Sequence, residues 1–256
     1  MGITIINSIE ESFVVFADNL KKSLISKGID CNTVYIEELV FSDFNNLKKE
    51  IKDVVYIFNN NRAISVLASL LIKNGKQVIN GGYFIKNCSK YAAQFLLSEN
   101  NIKVPKNYFS PELTHSSSLK DEFNFPLILK SFRHMEKNYV INNYAEYIDL
   151  MLDWANKEPH YFEEYCGDCI FFKIYAINGS IFFDKAVKEY TDESLIGSIK
   201  KIREIFSLEV YSVDCLFNKE KNISFIIDVN PSPAFKGLLE AKNYFFRYLE
   251  ELGNKL

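Results

Sequence analysis

The sequence has few of the features that mark several large protein classes. Its 30 lysines and arginines are outnumbered by 33 aspartates and glutamates, so it lacks the broad basic surface that non-specific nucleic-acid binding requires. No apolar run approaches the ~20 residues of a membrane-spanning helix. The apolar start, Ile3–Ile6, is short and has no basic leader, which argues against a signal peptide. We therefore expect a cytoplasmic protein with no membrane segment and no nucleic-acid partner.

Cysteine is scarce and odd in number. Five cysteines in a chain with no secretion signal suggest reduced thiols. Cys166 and Cys169 form a Cys-x-x-Cys, which raises thiol redox chemistry as one hypothesis. The pair lies between two predicted strands instead of opening a helix, and no second pair completes a four-cysteine zinc site. Thiol chemistry therefore stays a minor alternative.

Strands and helices alternate through the first 80 residues. The apolar run at 53–58 is typical of a buried parallel strand, and the helical stripe at 11–27 ends at Gly28, a common C-cap residue. The predicted elements of this part are strands at 3–7, 34–36, 53–58 and 77–79 and helices at 11–27 and 62–73. The alternation predicts a small parallel α/β layer, Rossmann-like, that ends near Gly81-Gly82.

The rest of the chain predicts an α+β arrangement with antiparallel hairpins. The dipeptide Asn178-Gly179 between 170–177 and 181–187 is a strong hairpin signal, and a second turn joins 210–217 to 223–229. The remaining predicted elements are strands at 127–130, 139–142 and 160–165 and helices at 89–100, 144–156, 192–206 and 238–252.

Oxygen-bearing side chains cluster on the last two predicted strands. Asp228 and Asn230 are two positions apart, so they point to the same face of their strand, and pairing with the preceding strand would bring Asp214 close. Two carboxylates and an amide oxygen suit Mg²⁺, above all when the ion keeps waters and borrows phosphate oxygens. The alternative is a pair of strand-end acids that face solvent.

These residues resemble the closing motif of the ATP-grasp superfamily, which includes D-alanine–D-alanine ligase and the RimK-type glutamate ligases. The acidic-x-Asn-x-x-Pro-Gly pattern of that family corresponds to Asp228–Ala234. Three further matches follow the family order: Val78–Asn80 with Ser89–Tyr91 and Ile102–Pro105, then Phe125–Lys130, then Tyr161–Asp168. The resemblance covers about residues 78 to 238 and implies a pre-ATP-grasp domain at 1–80 and an ATP-grasp domain at 81–256. Within the latter it implies a central subdomain at about 107–165 and a C-terminal subdomain at about 166–256.

The resemblance also implies roles for individual residues. Asp214, Asp228 and Asn230 would hold Mg²⁺. The residues that would contact ATP are Lys90, Lys130, Glu163, Glu164, Tyr165, Cys166, Asp168 and Lys173. Lysines such as Lys130 can offset phosphate charge, and one acid among Glu163, Glu164 and Asp168 would accept hydrogen bonds from ribose or adenine. Lys185 is expected on a strand near the phosphates, in a catalytic role.

Some positions depart from the family pattern. Asp228 replaces the commoner glutamate, and Ala234 stands where glycine is usual. The loop at 131–138 has none of the glycines whose amides normally wrap phosphate. Arg133, His134 or Lys137 could contact phosphate through side chains instead, with Arg133 and His134 in catalytic roles, or the loop is a lid of another shape.

The resemblance implies an ATP-dependent ligase that activates a carboxylate as an acylphosphate for attack by an amine or another nucleophile. The substrates would be small molecules or peptides, and a homodimer is left open. The alternatives are a kinase of the same fold that phosphorylates a hydroxyl, and a nucleotide-binding protein without catalysis.

Overall fold

The chain folds into two compact units. The computed structural model describes residues 2–9, 11–39, 48–58, 63–86, 89–110, 124–130, 138–154 and 160–255. The first unit comprises 1–87, 173–213 and 229–256, and the second comprises 88–172 and 214–228. The domain and subdomain bounds inferred from the sequence stay predictions, since compactness alone does not define them.

The first unit contains a four-stranded parallel sheet in the order β2-β1-β3-β4. Its strands are β1 (Gly2–Asn7), β2 (Asp30–Tyr35), β3 (Val54–Phe58) and β4 (Gln77–Val78), and its helices are α1 (Glu11–Ser26), α2 (Ala63–Lys73) and α3 (Gly81–Lys86). Both β1 and β3 are buried along their whole length, as expected for central parallel strands. The predicted parallel α/β layer is confirmed.

The core of this unit joins residues from both ends of the sequence. Ile5 of β1 belongs to the same buried cluster as Phe245 and Leu249 of the last helix, α7 (Leu239–Lys255). Phe235 lies in this cluster as well, where it stacks on Phe245 with the ring centroids 4.9 Å apart. The α7 helix therefore covers the sheet that β1 begins.

A buried asparagine links three segments of the first unit. Asn80 is 1% exposed and has a φ of 58°. Its Nδ2 donates to the carbonyls of Val210 at 2.5 Å and Pro231 at 2.7 Å. Its Oδ1 accepts from the backbone N–H of Glu209 at 2.7 Å and of Val210 at 3.1 Å. One side chain thus ties the segment after β4 to Glu209–Val210 and to Pro231.

Replacing Asn80 by alanine should destabilise the protein by at least ~4 kcal/mol, because four backbone groups, three of them buried, lose their partner and the left-handed backbone penalty is added. Asn101 is the matched control, since it has nearly the same φ, 57°, but is exposed. Asn101→Ala should cost only ~1 kcal/mol, the left-handed backbone penalty. Urea denaturation of both variants measures the difference, and equal losses would contradict a linking role for Asn80.

The second unit contains an antiparallel sheet in the order β5-β8-β6-β7. The strands are β5 (Asn107–Ser110), β6 (Leu127–Lys130), β7 (Tyr139–Ile141) and β8 (His160–Glu164), and the helices are α4 (Lys90–Glu99) and α5 (Tyr144–Trp154). Leu127, Leu129 and Phe162 pack with Tyr147 of α5 in a small core. The predicted elements in this part are confirmed, and β5 is an additional strand.

A third sheet has the order β10-β9-β11-β12. Its strands are β9 (Cys169–Ile177), β10 (Ser180–Phe183), β11 (Val210–Asn218) and β12 (Ile223–Asn230), and α6 (Glu193–Phe206) precedes β11. Asn178 and Gly179 both have positive φ and form the predicted hairpin turn between β9 and β10. An α/β layer followed by an α+β part is therefore the observed architecture.

The structure corrects the prediction that the strand after this turn extends to residue 187. The strand β10 ends at Phe183, and a 3-10 helix, Lys185–Tyr190, follows. The Asp184 side chain caps that helix by accepting a hydrogen bond from the Ala186 N–H at 2.8 Å. Lys185 therefore lies in a 3-10 helix instead of on a strand.

The expectation that the cysteines are reduced thiols is wrong for two of them. Cys166 and Cys169 form a disulfide in the turn between β8 and β9, where the turn brings their Cα atoms to 5.5 Å, within bridging distance. Cys31 and Cys215 are free and buried. Burial raises the pKa of the Cys31 thiol to about 11. Within the described part of the chain, no helix combines the length and apolar character needed to cross a membrane.

Candidate active site

The predicted metal ligands lie on the β11–β12 hairpin. Asp214 is in β11 and Asp228 in β12, the neighbouring strand of the sheet, and both are half-buried. Asn230 is the last residue of β12, two positions after Asp228. The two carboxylates predicted as metal ligands therefore lie on adjacent strands, as expected if these strands pair as a hairpin.

The loop after β12 is held in place by short polar contacts. Oδ1 of Asn230 accepts from the Ser232 N–H at 2.8 Å, and the Ser232 hydroxyl donates to the Ile57 carbonyl at 3.0 Å. The Tyr175 hydroxyl donates to the Lys236 carbonyl at 2.8 Å. Ser232 thus uses one lone pair of the Asn230 side-chain oxygen.

A buried ion pair lies at the end of β6 in the second unit. Lys130 Nζ is 2.5 Å from Glu163 Oε2, with side-chain exposures of 11% and 2%. The same ammonium donates to the Ile227 carbonyl at 3.3 Å. Ile227 immediately precedes Asp228, so Lys130 is fixed beside the strand that carries a predicted metal ligand. Among the described residues, Glu163 and the Ile227 carbonyl take two of the three ammonium donors of Lys130.

Tyr161 completes this charged cluster. Its hydroxyl donates to Glu163 Oε1, and the side chain is 1% exposed. Burial, followed by the charge of Glu163 and the hydrogen bond to it, raises the pKa of Tyr161, and the charge of Asp228 acts in the same direction. Tyr161 is therefore a neutral donor. Lys130, Glu163 and Tyr161 therefore form one hydrogen-bonded cluster within the second unit, near enough to Asp228 for its charge to act on Tyr161.

The segment predicted to contact adenine leaves β8 and enters the disulfide turn. The Glu164 N–H donates to the Lys106 carbonyl at 2.9 Å, and the Tyr165 N–H donates to the Pro126 carbonyl at 3.1 Å. Cys166 accepts a long bond from Asn218 Nδ2 at 3.6 Å, and Asp168 is exposed. The three acids thus differ, since Glu163 is buried and paired while Glu164 and Asp168 retain contact with solvent.

The other basic residues predicted to act at the ATP site lie on different structural elements. Lys90 opens α4 after the Ser89 cap and is half-buried. Lys173 is a half-buried residue of β9, and Lys185 is exposed at the start of its 3-10 helix. Both belong to the first unit, whereas Lys90 belongs to the second. Arg133 and His134 lie outside the described residues.

Tyr161 was missed by reasoning from sequence. An aromatic residue in a strand usually serves packing, so Tyr161 was not predicted to be a site residue. The signal that could have found it is the spacing Tyr161-x-Glu163, since residues two apart on a strand share a face. Nothing in the sequence alone indicates that both face Lys130.

The donor set fits Mg²⁺. Asp214 and Asp228 supply carboxylate oxygens and Asn230 an amide oxygen, which are the hard ligands that this ion prefers. Among the residues that the structure describes, no group of three or more histidine, cysteine, aspartate or glutamate side chains could hold a metal alone. Mg²⁺ typically binds one or two protein carboxylates and takes its other ligands from water and phosphate, so two carboxylates suffice.

The parallel α/β layer and the two antiparallel sheets define an ATP-grasp fold, which confirms the fold predicted from the motifs. D-alanine–D-alanine ligase from Bacillus anthracis, complexed with ATP, superposes with a TM-score of 0.75 at 14% identity, over 100% of this chain and 96% of that one. The RimK domain ATP-grasp protein from Sphaerobacter thermophilus gives 0.74 at 13% identity, over 99% and 98% of the two chains.

A third similar structure is the ATP-grasp ligase PsnB complexed with precursor peptide PsnA2 and AMPPNP. Its TM-score is 0.71 at 12% identity, over 99% of this chain and 98% of PsnB. No protein-family model and no curated protein matches the sequence. At these identities the likeness establishes the fold that the chain shares with ATP-dependent ligases.

Proposed function

We propose that the chain is an ATP-dependent ligase that joins a carboxylate to an amine, or to another nucleophile, through an acylphosphate formed with Mg-ATP. The observation that carries the proposal is the Lys130–Glu163 ion pair, held against the carbonyl of Ile227 next to Asp228, on a fold shared with ATP-dependent ligases. A buried lysine fixed next to carboxylates of neighbouring strands suits the transfer of a phosphoryl group, which requires opposite charges at fixed positions.

Asp214, Asp228 and Asn230 would hold the metal, and Mg²⁺ when bound supplies positive charge to the phosphate oxygens. Lys130 contributes a second positive charge, oriented by Glu163 and the Ile227 carbonyl. Because Glu163 and the Ile227 carbonyl hold the ammonium in place, the lysine needs no rearrangement when negative charge develops on the phosphate. Tyr161, a neutral donor, holds the other oxygen of Glu163 and keeps that carboxylate turned to Lys130.

The remaining ATP contacts stay part of the proposal. Lys90, Lys173 and Lys185 would neutralise phosphate oxygens, and Arg133 and His134 would take the place of the missing glycine amides. Glu164, Tyr165 and Cys166 would present backbone groups to adenine, and Glu164 or Asp168 would accept from ribose. Glu163 is better assigned to Lys130, since both of its oxygens already have partners.

Thermal unfolding with the non-hydrolysable analogue AMPPNP tests the nucleotide site. At ~100-fold above Kd, binding should stabilise the protein by ~2.7 kcal/mol, or ~5–10 °C in Tm for a chain of this size. The shift should require Mg²⁺ and disappear with EDTA. No shift at millimolar nucleotide would sink the proposal.

Product analysis separates the ligase from the kinase. A ligase releases ADP and free phosphate only when a carboxylate and a nucleophile are both present, whereas a kinase transfers the phosphate to a stable product. Phosphate release should therefore depend on two organic substrates, and stoichiometric phosphorylation of a single hydroxyl compound would favour the kinase.

A further inference from the structure

A short disulfide closes the turn between β8 and β9. Cys166 and Cys169 are bonded across Gly167 and Asp168; the two bonded cysteines are half-buried, and the two residues between them are exposed. A bridge that encloses so few residues removes less entropy from the unfolded chain than one across a long loop, so it adds comparatively little to folding stability. The bridge therefore acts mainly on the local conformation of the turn.

The turn continues the segment proposed to contact adenine. The Tyr165 N–H donates to the Pro126 carbonyl at 3.1 Å, and Cys166 is the next residue. A Cβ atom built on Gly167 would lie 3.3 Å from Cε1 of Tyr165, so the Tyr165 ring packs directly against the turn. This ring is on the surface, since Tyr165 is 42% exposed. The conformation of the turn therefore determines where the Tyr165 ring and the Cys166 backbone lie.

The two sulfurs of the bridge differ in their surroundings. Asn218 Nδ2 donates to Cys166 Sγ at 3.6 Å, and Asn218 Oδ1 accepts from the Lys221 N–H at 2.9 Å, which orients the amide. An N–H donor stabilises a thiolate more than it stabilises a disulfide sulfur, so Cys166 is the better leaving group of the pair. An incoming thiolate should therefore attack Cys169. All of these residues belong to the second unit.

We propose that Cys166 and Cys169 form a reversible thiol–disulfide site, opened by a dithiol reductant, whose oxidised form holds the adjoining segment Glu164–Cys166 in the conformation that binds nucleotide. A thiolate of the reductant attacks Cys169 Sγ, the bond to Cys166 breaks, and Cys166 leaves as a thiolate that takes up a proton. The second thiol of the reductant then attacks the mixed disulfide and releases Cys169. The protein gains two electrons and two protons, and the reductant becomes a disulfide.

Reduction of this site should weaken nucleotide binding. With the bridge open, the turn and the segment before it must be ordered when the nucleotide binds, and that ordering lowers the affinity. Since coupling between two sites is reciprocal, bound nucleotide must protect the bridge from reduction by the same factor. The effect on affinity rests on the proposed function, whereas the thiol exchange itself does not.

Calorimetric titration of the full chain with Mg-AMPPNP, before and after treatment with dithiothreitol, tests the proposal. We expect the Kd to rise at least ~5-fold on reduction, the lower end of typical coupling between sites, while two additional thiols become reactive toward a maleimide. In mixtures of reduced and oxidised dithiothreitol, saturating Mg-AMPPNP should shift the reduction equilibrium of the bridge by the same factor.

Two variants serve as controls. Cys166→Ser combined with Cys169→Ser should bind Mg-AMPPNP like the reduced protein and should not respond to dithiothreitol. Cys31→Ser removes a free, buried cysteine outside the turn and should keep the response of the wild type. Should the double variant not fold, Cys169→Ser alone, which retains the Cys166 sulfur beside Asn218, serves the same comparison.

The inference is overturned if dithiothreitol exposes no additional thiols, or if the Kd stays the same once the two thiols have appeared. A response to dithiothreitol that survives in the double variant has the same consequence. Equal binding in both redox states removes only this inference and leaves the nucleotide site in place. Binding in neither state removes the ligase proposal and, with it, the coupling.

Discussion

Asp228→Asn is expected to lower ATP-dependent phosphate release on the order of 10³-fold and to abolish the Mg²⁺-dependent stabilisation by AMPPNP. The substitution keeps the shape of the side chain but removes its charge, so a divalent ion loses half of the carboxylate charge that Asp214 and Asp228 provide. Measurement requires a coupled phosphate assay and thermal unfolding with and without Mg²⁺.

Glu220→Gln is the control for this prediction, because Glu220 is exposed in the turn of the same hairpin. Glu220→Gln removes an equal charge from the same hairpin and should change neither phosphate release nor the Mg²⁺-dependent shift in Tm. If Asp228→Asn retained the Mg²⁺-dependent shift in Tm, the proposed metal site would be refuted, whatever the effect on turnover.

Lys130→Met should destabilise the protein by ~3–5 kcal/mol, since it leaves the Glu163 carboxylate buried without its cation. The loss corresponds to a fall of roughly 6–20 °C in Tm for a chain of this length. Tyr161 still donates to Glu163, but one neutral hydrogen bond does not replace an ammonium. Urea denaturation and thermal unfolding both measure the effect.

A double variant and an exposed ion pair provide controls for the stability loss expected of Lys130→Met. Lys130→Met combined with Glu163→Gln should recover much of the loss, because no buried charge remains. Lys52→Met breaks a pair with Asp30 at 2.7 Å whose side chains are 32% and 61% exposed, and it should cost at most ~1 kcal/mol. Similar losses from Lys130→Met and Lys52→Met would mean that burial of the first pair contributes nothing.

Much of the fold follows from patterns within short segments. The apolar run that forms β3 and the Asn178-Gly179 turn both predict the observed elements, because each depends on residues that are neighbours in sequence. The end of β10 was placed four residues too late, at 187 instead of 183, because the capping bond of Asp184 overrides the apolar pattern that continues through Val187. The strand β5 was missed since it is recognised by its pairing with β8, which is distant in sequence.

The candidate site was predictable from the sequence only where its residues belong to one local pattern. Alternation along β12 and the hairpin are local, so the placement of Asp214 and Asp228 on adjacent strands could be inferred. The burial of Glu163 could not, because it depends on Lys130 and Ile227 approaching from other strands. The fourfold bonding of Asn80 joins residues about 130 positions apart and likewise leaves no trace in a local pattern.

The packing of α7 against β1 has a consequence for synthesis on the ribosome. The strand β1 shares its core with Phe245 and Leu249, which are made more than 230 residues later. At ~5–20 residues per second, Ile5 and its neighbours wait at least ~10 s for that cover. During this interval the nascent chain exposes apolar strand surface, so chaperone dependence should be greatest just before α7 emerges.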